Sequence, residues 1–506
     1  MNKKVTYLVF LTSTIFPSIT FCADENVVIS EAEHAYDRAE KAFYSKEWKE
    51  LPDEHLINAS KIKWNRLAKA ALNLPEWMEF SLSQRTRFES SSHPWHTGQS
   101  SETNQQLPLL SRVRLGAYNE NFGLIFEGQD GRTHFNNPGN FTGDANSLIN
   151  QFDVLQLYTS ATMHNIAGSG LRADLDVGRF TMDIGSSRLM GRNVYENITF
   201  SYEGGHFDIG AENKDWRLRT FFVSPLARYP NQADESSSNR LIWGVDLEGK
   251  PTTWLNSEVY YMGVNDNKNP NPNNHKAFST FGTRAYQLPA KSATFQKADF
   301  GGFDYDFETT AEVGEKGVKD FFGYYGHAEI GYTFNAPWFP RLMADYDYSS
   351  GTENPDGSMN NTFDRLYGPR INMSVTSLFG PTFQTNMEFA GLRLIAKPTD
   401  DIKLNLKHHV WYLAEAKDRM VNTGFIFGQN DLQDKSGSAG RNLGHDIEFT
   451  SSYSLGTNLT FEAGYQHWFK GDYFERLPKL GDVSKDLPQG GEKDTDFFYV
   501  SSEVRF

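Results

Sequence analysis

Basic side chains in this sequence recur two positions apart, within segments where polar and apolar residues alternate. The set comprises Arg85 and Arg87, Arg112 and Arg114, Arg217 and Arg219, and, four positions apart, Lys403 and Lys407. Residues two apart on a strand point to the same side, so each pair would present its charges on one face. A guanidinium stays charged at physiological pH and binds a carboxylate through two hydrogen bonds. The spacing therefore predicts rows of cations that could bind successive carboxylates of one ligand.

The first four of these arginines belong to two consecutive segments. Neighbouring strands lie about 4.8 Å apart, so the four guanidiniums are expected to form one compact patch. Salt bridges to Glu79, Glu89 or Glu127 would instead give the patch a structural role. Both interpretations stay open from the sequence alone.

Catalytic and metal chemistry have little support. His408 and His409 are adjacent, so on a strand they point to opposite faces, and neither His445 nor His467 has a notable Ser or Asp arrangement beside it. No metal-ligand spacing and no glycine-rich phosphate loop is present. Cys22 is the only cysteine. We therefore predict no catalytic residue, no metal ligand and no cofactor.

The alternating segments predict long membrane strands. From Trp77 onward polar residues such as Arg85 and Arg87 alternate with apolar ones such as Phe80, Leu82 and Phe88. Aromatic residues make up 14% of the chain while the mean hydropathy is only -0.57. Strands of about 9–11 residues with one apolar and one polar face are typical of outer-membrane barrels, whereas soluble sandwiches usually have strands of about 5–6. The pattern predicts an all-β fold, a transmembrane antiparallel β-barrel.

Short and long connections alternate along the chain, as periplasmic turns and outer loops do in such barrels. An even number of strands then requires a strand over Thr280–Tyr286 and a periplasmic segment over 288–297, which gives about 18 strands. The last segment alternates up to a terminal aromatic residue, Phe506, as expected for a closing strand. These features predict a protein of the bacterial outer membrane, surrounded by lipid and lipopolysaccharide.

The N-terminal part has a different organisation. Residues 1–22 have the basic start, short apolar stretch and small-residue end of a signal peptide. Residues 23–75 show helical spacing and predict a periplasmic extension, either a lid on the barrel or a contact for a periplasmic partner. Residues 76–506 are assigned to the barrel. The formal net charge of -15 argues against nucleic acid as a partner.

Several short motifs in the barrel resemble those of the alginate-export porins. They are Val177-Gly178-Arg179-Phe180 with Gly185, Arg188 and Gly191 after it, Tyr348-Ser349-Ser350-Gly351, and the run Thr362–Gly368. Phe180 and Tyr195 depart from the family, which often has Gln and Trp there. The resemblance implies a monomeric barrel of about 18 strands whose narrow lumen carries arginines that pass a polyuronate.

The predicted lumen contains charges of both signs. Cations concentrate on the early strands, the seventh and the fifteenth, and acids on the eighth to thirteenth, which predicts a transverse electric field. Strict alternation would point Arg179 at lipid, so we expect either a bulge at Gly178 that turns it inward, which we favour, or a position near the membrane interface. The loop that carries Asp183, Arg188 and Arg192 is expected to fold into the pore mouth.

The sequence therefore predicts an outer-membrane channel for an acidic polysaccharide or its oligomers, alginate-like by resemblance. The expected pathway residues are the basic residues of the first paragraph together with Arg179, Arg188 and Arg192. An uptake porin for neutral or aromatic small molecules is the alternative within the same class. An outer-membrane enzyme and a structural barrel closed by its N-terminal helices are the alternatives of other classes.

Overall fold

The computed structural model covers the barrel strands and most of the connections between them. It describes residues 71–92, 103–134, 148–192, 197–211, 216–236, 240–252, 254–266, 272, 275–287, 302–368, 384–399, 401–420, 432–456, 458–477 and 493–506. The predicted signal peptide and residues 23–70 of the predicted extension lie outside these ranges, as do Tyr195 and the segment 288–297. Within the described ranges no helix is long and apolar enough to cross a membrane.

Eighteen long strands form the wall of the barrel. They are β1 Met78–Ser92, β2 Thr103–Tyr118, β3 Phe122–His134, β4 Asn150–Met163, β5 Leu171–Phe180, β6 Tyr202–Ala211, β7 Trp216–Ala227, β8 Leu241–Thr252, β9 Leu255–Asn265, β10 Lys276–Gln287, β11 Phe303–Lys316, β12 Lys319–Thr333, β13 Arg341–Ser349, β14 Met387–Thr399, β15 Ile402–Leu413, β16 Asn442–Leu455, β17 Leu459–Lys470 and β18 Thr495–Arg505. Each strand pairs antiparallel with its neighbours in sequence, and β1 pairs with β18, so the sheet is closed.

The connections carry little regular structure among the described residues. Two-residue strands occur at Glu235–Ser236, Met359–Asn360, Arg419–Met420 and Leu432–Gln433, with a 3-10 helix at Ile166–Gly168 and a short helix at Asp472–Arg476. Closure is completed at the C-terminus, where Phe506 and Leu82 exchange two backbone hydrogen bonds of 2.8 Å. The predicted fold class is confirmed, including the strand over Thr280–Tyr286, which lies within β10.

The alternation of side chains explains why this sequence forms a membrane barrel. Apolar side chains such as Leu157, Val177 and Phe281 are about half exposed on the outer face, while acids such as Glu127 and Asp208 are buried on the inner face. Lipid favours the first set, and hydrogen-bonded pairs inside the wall satisfy the second. The fold therefore concentrates most of the charged chemistry of the strands in the lumen.

Candidate functional site

The connection between β5 and β6 folds into the barrel and narrows it. Met182, Ile184, Leu189 and Met190 are buried there and pack in one cluster with wall residues such as Tyr260. Gly185 has φ +53, and a Cβ at this position would overlap the Glu258 carboxylate, so the backbone lies directly against the wall. The expectation that this loop enters the lumen is confirmed, and we call residues 181–192 the inner loop.

A second loop meets the inner loop inside the barrel. Tyr367 forms a parallel bridge with Met190, and Phe363 is fully buried in the same apolar cluster. Asp364 is held by Lys276 at 2.6 Å and by Lys316 at 3.0 Å. Burial alone would raise the pKa of Asp364, but these two ammonium groups lower it well below its ordinary value. The run Thr362–Gly368, singled out from the sequence, is thus a second anchored element in the lumen.

Three arginines of the wall and one of the inner loop form a partly exposed cationic face. We call Arg85, Arg112, Arg114 and Arg192 the arginine face. Arg114 pairs with Glu127 at 2.9 Å, and Arg112 approaches the same carboxylate at 3.9 Å while donating to the Thr199 hydroxyl at 2.9 Å. The Arg112 side chain is 26% exposed, whereas that of Glu127 is 2% exposed.

The other two members of the arginine face have partners in the connection between β5 and β6. Arg85 lies 3.5 Å from the Asn197 amide oxygen, and Arg192 bonds to Asp183 at 3.1 Å. Burial raises the pKa of Asp183, whereas its hydrogen bonds and charge contacts with Arg192 act in the opposite direction. The face is therefore built jointly by two wall strands and the connection that enters the lumen.

Most of the remaining inward residues of the predicted pathway are buried in ion pairs. Arg87 is bound to Glu89, which also accepts from Gln106, so the expected patch of four arginines contains only three of them. Arg188 reaches Asp306 at 3.0 Å and Glu308 at 2.6 Å across the lumen. These contacts fix the wall and the inner loop in place.

Three more predicted pathway residues are buried on the wall, and one is half-buried. Arg217 pairs with Glu248 at 2.5 Å, Arg219 with Asp208 at 3.3 Å, and Lys407 lies 3.7 Å from Glu448. Lys403 is half-buried near the start of β15. Apart from Lys403 and Arg179, the structure thus separates the predicted cations into the partly exposed arginine face and a buried, paired group.

Arg179 lies on the outer face, and the bulge expected at Gly178 was wrong. The register runs without a shift, with Leu157 and Glu203 opposite Arg179 on the two neighbouring strands. Gly178 and Gly204 face each other with φ values of +136 and +154, so the strands deform here without an inserted residue. Arg179 pairs with Glu203 at 2.6 Å and donates to the backbone oxygens of Val154 and Asp234. It lies one residue before the end of β5, as the interface alternative requires.

Several inward basic residues were missed from the sequence. Arg284 bonds to Asp306 through two nitrogens, at 2.7 and 2.8 Å, and Arg341 is bound to Asp304. His327 and His409 pair with Asp347 and Asp345. Arg284, His327 and Arg341 lie on β10, β12 and β13, within the eighth to thirteenth strands where acids were predicted, so the separation into a basic and an acidic wall is weaker than expected. The same alternation that placed the acids inward would have found them.

The outer-face histidines do not form a nucleophilic site. As predicted, His408 and His409 point to opposite faces, and His408 contacts His445 at 3.3 Å on the outside. His467 does have an acidic partner, Asp496 at 2.8 Å, which strand pairing supplies and sequence proximity could not reveal. Ser92 donates to that same carboxylate at 3.3 Å, not to the imidazole. Activation of a serine requires a hydrogen bond to the base, which this arrangement lacks.

Comparisons with known proteins agree with this architecture. A family model described as "Alginate export" matches residues 76–479. A search of curated proteins gave no match. Among solved structures, the chain is similar to OccK5 (OpdH) of Pseudomonas aeruginosa, with 12% identity, a TM-score of 0.52, and coverage of 85% of this chain and 99% of that one.

Two further solved structures show a similar fold. OpdQ of Pseudomonas aeruginosa has 9% identity and a TM-score of 0.54, and covers 85% of this chain and 99% of its own. OccAB2 of Acinetobacter baumannii has 9% identity and a TM-score of 0.54, with 85% and 98% covered. At these identities the likeness concerns the fold.

Proposed function

The chain belongs to the alginate export family and is an outer-membrane channel, and we propose that it passes an acidic polysaccharide or oligomers of one. The observation that carries this proposal is the arginine face. The Arg112 and Arg192 side chains are 26% and 16% exposed, while the carboxylates of their partners Glu127 and Asp183 are only 2% and 3% exposed. A passing anion would therefore meet the cations before it meets the acids.

The charge balance of this face supports an anionic substrate. Arg112 and Arg114 share one carboxylate, that of Glu127, and Arg112 directs its closest described bond to a neutral hydroxyl. A guanidinium with a neutral partner keeps its charge available for a second ligand. Glu503 on β18 also lies close enough to act on Arg85 and Arg112. Among the described residues, four guanidiniums of the face then meet three carboxylates, those of Glu127, Asp183 and Glu503, which leaves a local positive surplus.

The geometry suits repeated weak binding. A uronate chain carries one carboxylate on each sugar, and the face presents guanidiniums from β1, β2 and the inner loop. Conduction requires binding that favours entry but still allows release, which several moderate contacts provide better than one strong site. The buried pairs of Arg188, Arg217 and Arg219 would then hold the lumen narrow enough for these contacts to form.

An uptake channel for neutral or aromatic small molecules is the second candidate. The acids of β8 to β13 favour it. Asp246, Glu258 and Glu312 are buried on β8, β9 and β11, which the strand order places across the barrel from β1 and β2 of the arginine face. Such a lumen would repel a polyanion from part of its circumference. The two candidates differ in whether the charge of the ligand matters.

The proposal is tested by current block in planar bilayers. Oligouronates of defined length are added to the purified channel, and the control is the same oligomer with its carboxyls reduced to alcohols. We expect the acidic oligomer to block current at concentrations at least tenfold lower than the neutral one, since each charge-assisted hydrogen bond contributes about 1.5–3 kcal/mol. Equal block by both oligomers would contradict an anionic substrate and favour the second candidate.

We further propose that the channel works as a monomer, as its family resemblance implies; one chain is sufficient to close the barrel, through the pairing of β1 with β18. A periplasmic partner for residues 23–75 stays a prediction from the sequence, as does the signal peptide.

A further inference from the structure

We propose that the lumen wall binds a hard divalent cation such as Ca²⁺ through Asp246, Glu248 and Glu258. The three carboxylates come from two neighbouring strands, β8 and β9, on which Glu248 and Glu258 are direct cross-strand partners. One oxygen from each lies within 4.8 Å of the other two. This inference does not depend on the substrate proposed above.

The burial of this acidic triad leaves it short of hydrogen-bond donors. Asp246 is 1% exposed and Glu258 is 2% exposed. Within the part of the chain that the structure describes, neither oxygen of Asp246 has a hydrogen-bond partner, and the same holds for Oε2 of Glu258. An ionised carboxylate removed from water without a donor is strongly unfavourable. A cation bound directly to the Asp246 oxygens would supply the partner that the described donors do not.

The arginines near the triad direct their described hydrogen bonds to acceptors other than Asp246. Arg219 donates to Asp208 and, at 2.7 Å, to the backbone oxygen of Asp183. Arg284 uses two nitrogens on Asp306 and stays 3.7 Å from Glu258.

Arg217 is the remaining guanidinium beside the triad. Its shortest contact is with Glu248, at 2.5 Å, and another nitrogen lies 3.9 Å from Asp208. The described hydrogen bonds of these guanidiniums go to Glu248, Asp208, Asp306 and the backbone oxygen of Asp183, and none of them reaches Asp246.

The donor set selects the kind of ion. All three groups offer carboxylate oxygens, which hard cations such as Ca²⁺ and Mg²⁺ prefer over nitrogen or sulfur donors. Calcium–oxygen distances of about 2.3–2.6 Å allow two ligands of one ion to lie up to about 5 Å apart, and the triad falls within that limit. Mg²⁺ requires shorter bonds and a stricter octahedron, so Ca²⁺ fits better.

An ion at this position would affect both the inner loop and the selectivity of the channel. Gly185 of that loop lies directly against Glu258, so an ion on Glu258 sits at the contact between wall and loop. It would also cancel two negative charges in the lumen. Removal of the ion should therefore loosen the inner loop and shift the selectivity of the channel toward cations.

The test uses the full-length channel in detergent, first treated with a chelator and then titrated. Tb³⁺ serves as a luminescent substitute for Ca²⁺, because Tyr260, the cross-strand partner of Asp246, can sensitise its emission. We expect Ca²⁺ to displace Tb³⁺ from one site, and Ca²⁺ at 100 times its dissociation constant to raise the unfolding midpoint by about 5 °C. Asp246→Asn should abolish both effects.

Glu503→Gln is the matched control, since Glu503 faces the lumen on β18 and pairs with Arg505, far from the triad in the sheet order. It should keep both effects. Glu258→Gln replaces Asp246→Asn if the latter does not fold, as judged by its migration on a gel before and after boiling. Equal Tb³⁺ binding by the wild type and the site variant would overturn the proposal. So would a folded wild type that gains no stability from Ca²⁺, because the triad would then hold a proton in place of a metal.

Discussion

Arg188 of the inner loop donates a 2.6 Å hydrogen bond to Glu308 on β11, a residue 120 positions further along the chain. A second nitrogen of the same guanidinium bonds to Asp306 at 3.0 Å. Burial alone would lower the pKa of Arg188, but these two carboxylates raise it well above its ordinary value. The contact ties the inner loop to the far wall of the barrel.

Arg188→Met should release that loop. Removing one partner of a buried pair costs about 3–5 kcal/mol, and here Glu308 would stay buried with the neutral Tyr260 hydroxyl as its remaining described side-chain donor. We expect a lower unfolding midpoint and a larger, noisier single-channel conductance. Arg132→Met, at an exposed arginine of β3, is the control and should change neither. Unchanged conductance in folded Arg188→Met would show that this pair does not position the loop.

Gly204 and Gly205 are adjacent on β6 but should respond differently to the same substitution. A Cβ on Gly204 would overlap the Phe222 carbonyl oxygen and lie 2.8 Å from the Val223 Cα, whereas a Cβ on Gly205 has its nearest neighbour at 4.0 Å. Gly204 also has φ +154. Gly204→Ala should therefore destabilise the barrel by about 2 kcal/mol or more, measured by urea unfolding, with Gly205→Ala near wild type. Equal stability of the two variants would contradict the strained close approach.

Asp364 should stabilise the second lumen loop over most of the pH range. Its pKa is depressed in the folded chain, so its contribution is present above the unfolded pKa of about 4 and is lost only as the pH falls below it. Asp364→Asn should cost about 3 kcal/mol between pH 5 and 8, and this difference should shrink below about pH 4. Thermal unfolding of both proteins across this range measures it. A stability difference between the two proteins that grows as the pH falls would contradict the prediction.

Asp234, in the connection between β7 and β8, should contribute to stability with the opposite pH dependence. Burial raises its pKa to about 7, the Tyr229 amide opposes this, and neighbouring Asp153 adds to the rise. A raised acid pKa stabilises the folded state at low pH, and this contribution is lost as the pH rises from about 4 through about 7. The connection after β7 should therefore be cleaved faster by trypsin at Arg228 above pH 7 than below it.

Asp234→Asn supplies the control for that measurement. The amide cannot ionise, so after correction for the protease's own pH profile its cleavage rate should stay level. A wild-type rate that is equally level would contradict the assignment.

The alternation of side chains was sufficient to predict the strands, because lipid on one side and polar lumen on the other impose a period of two on nearly every segment. The same rule placed Arg85, Arg112 and Arg114 on the inner face. It also pointed Arg179 to the outer face, where the structure has it. The prediction that failed was the bulge at Gly178, because Gly178 and Gly204 deform the strands without changing the register, which only the dihedral angles reveal.

Partners across the sheet were the harder part of the site. The pairing of Arg87 with Glu89 follows from two residues on one strand, yet Arg188 with Glu308 depends on how a loop folds into the lumen. The meeting of Glu248 with Glu258 depends on the register of two strands. Spacing along the chain contains neither kind of information, so the sequence did not predict the acidic triad.

The central claim is that the arginine face guides an anion, and charge reversal at its two wall residues on β2 tests it most directly. Arg112→Glu with Arg114→Glu is compared with Arg132→Glu with Arg441→Glu, which changes the net charge equally at exposed arginines. Reversal potentials in a salt gradient and block by oligouronates are measured on protein whose fold is confirmed by gel migration before and after boiling. We predict that the first variant loses anion selectivity and at least tenfold in block, while the second behaves as wild type. Unchanged selectivity and block in a well-folded Arg112→Glu, Arg114→Glu channel would contradict the account.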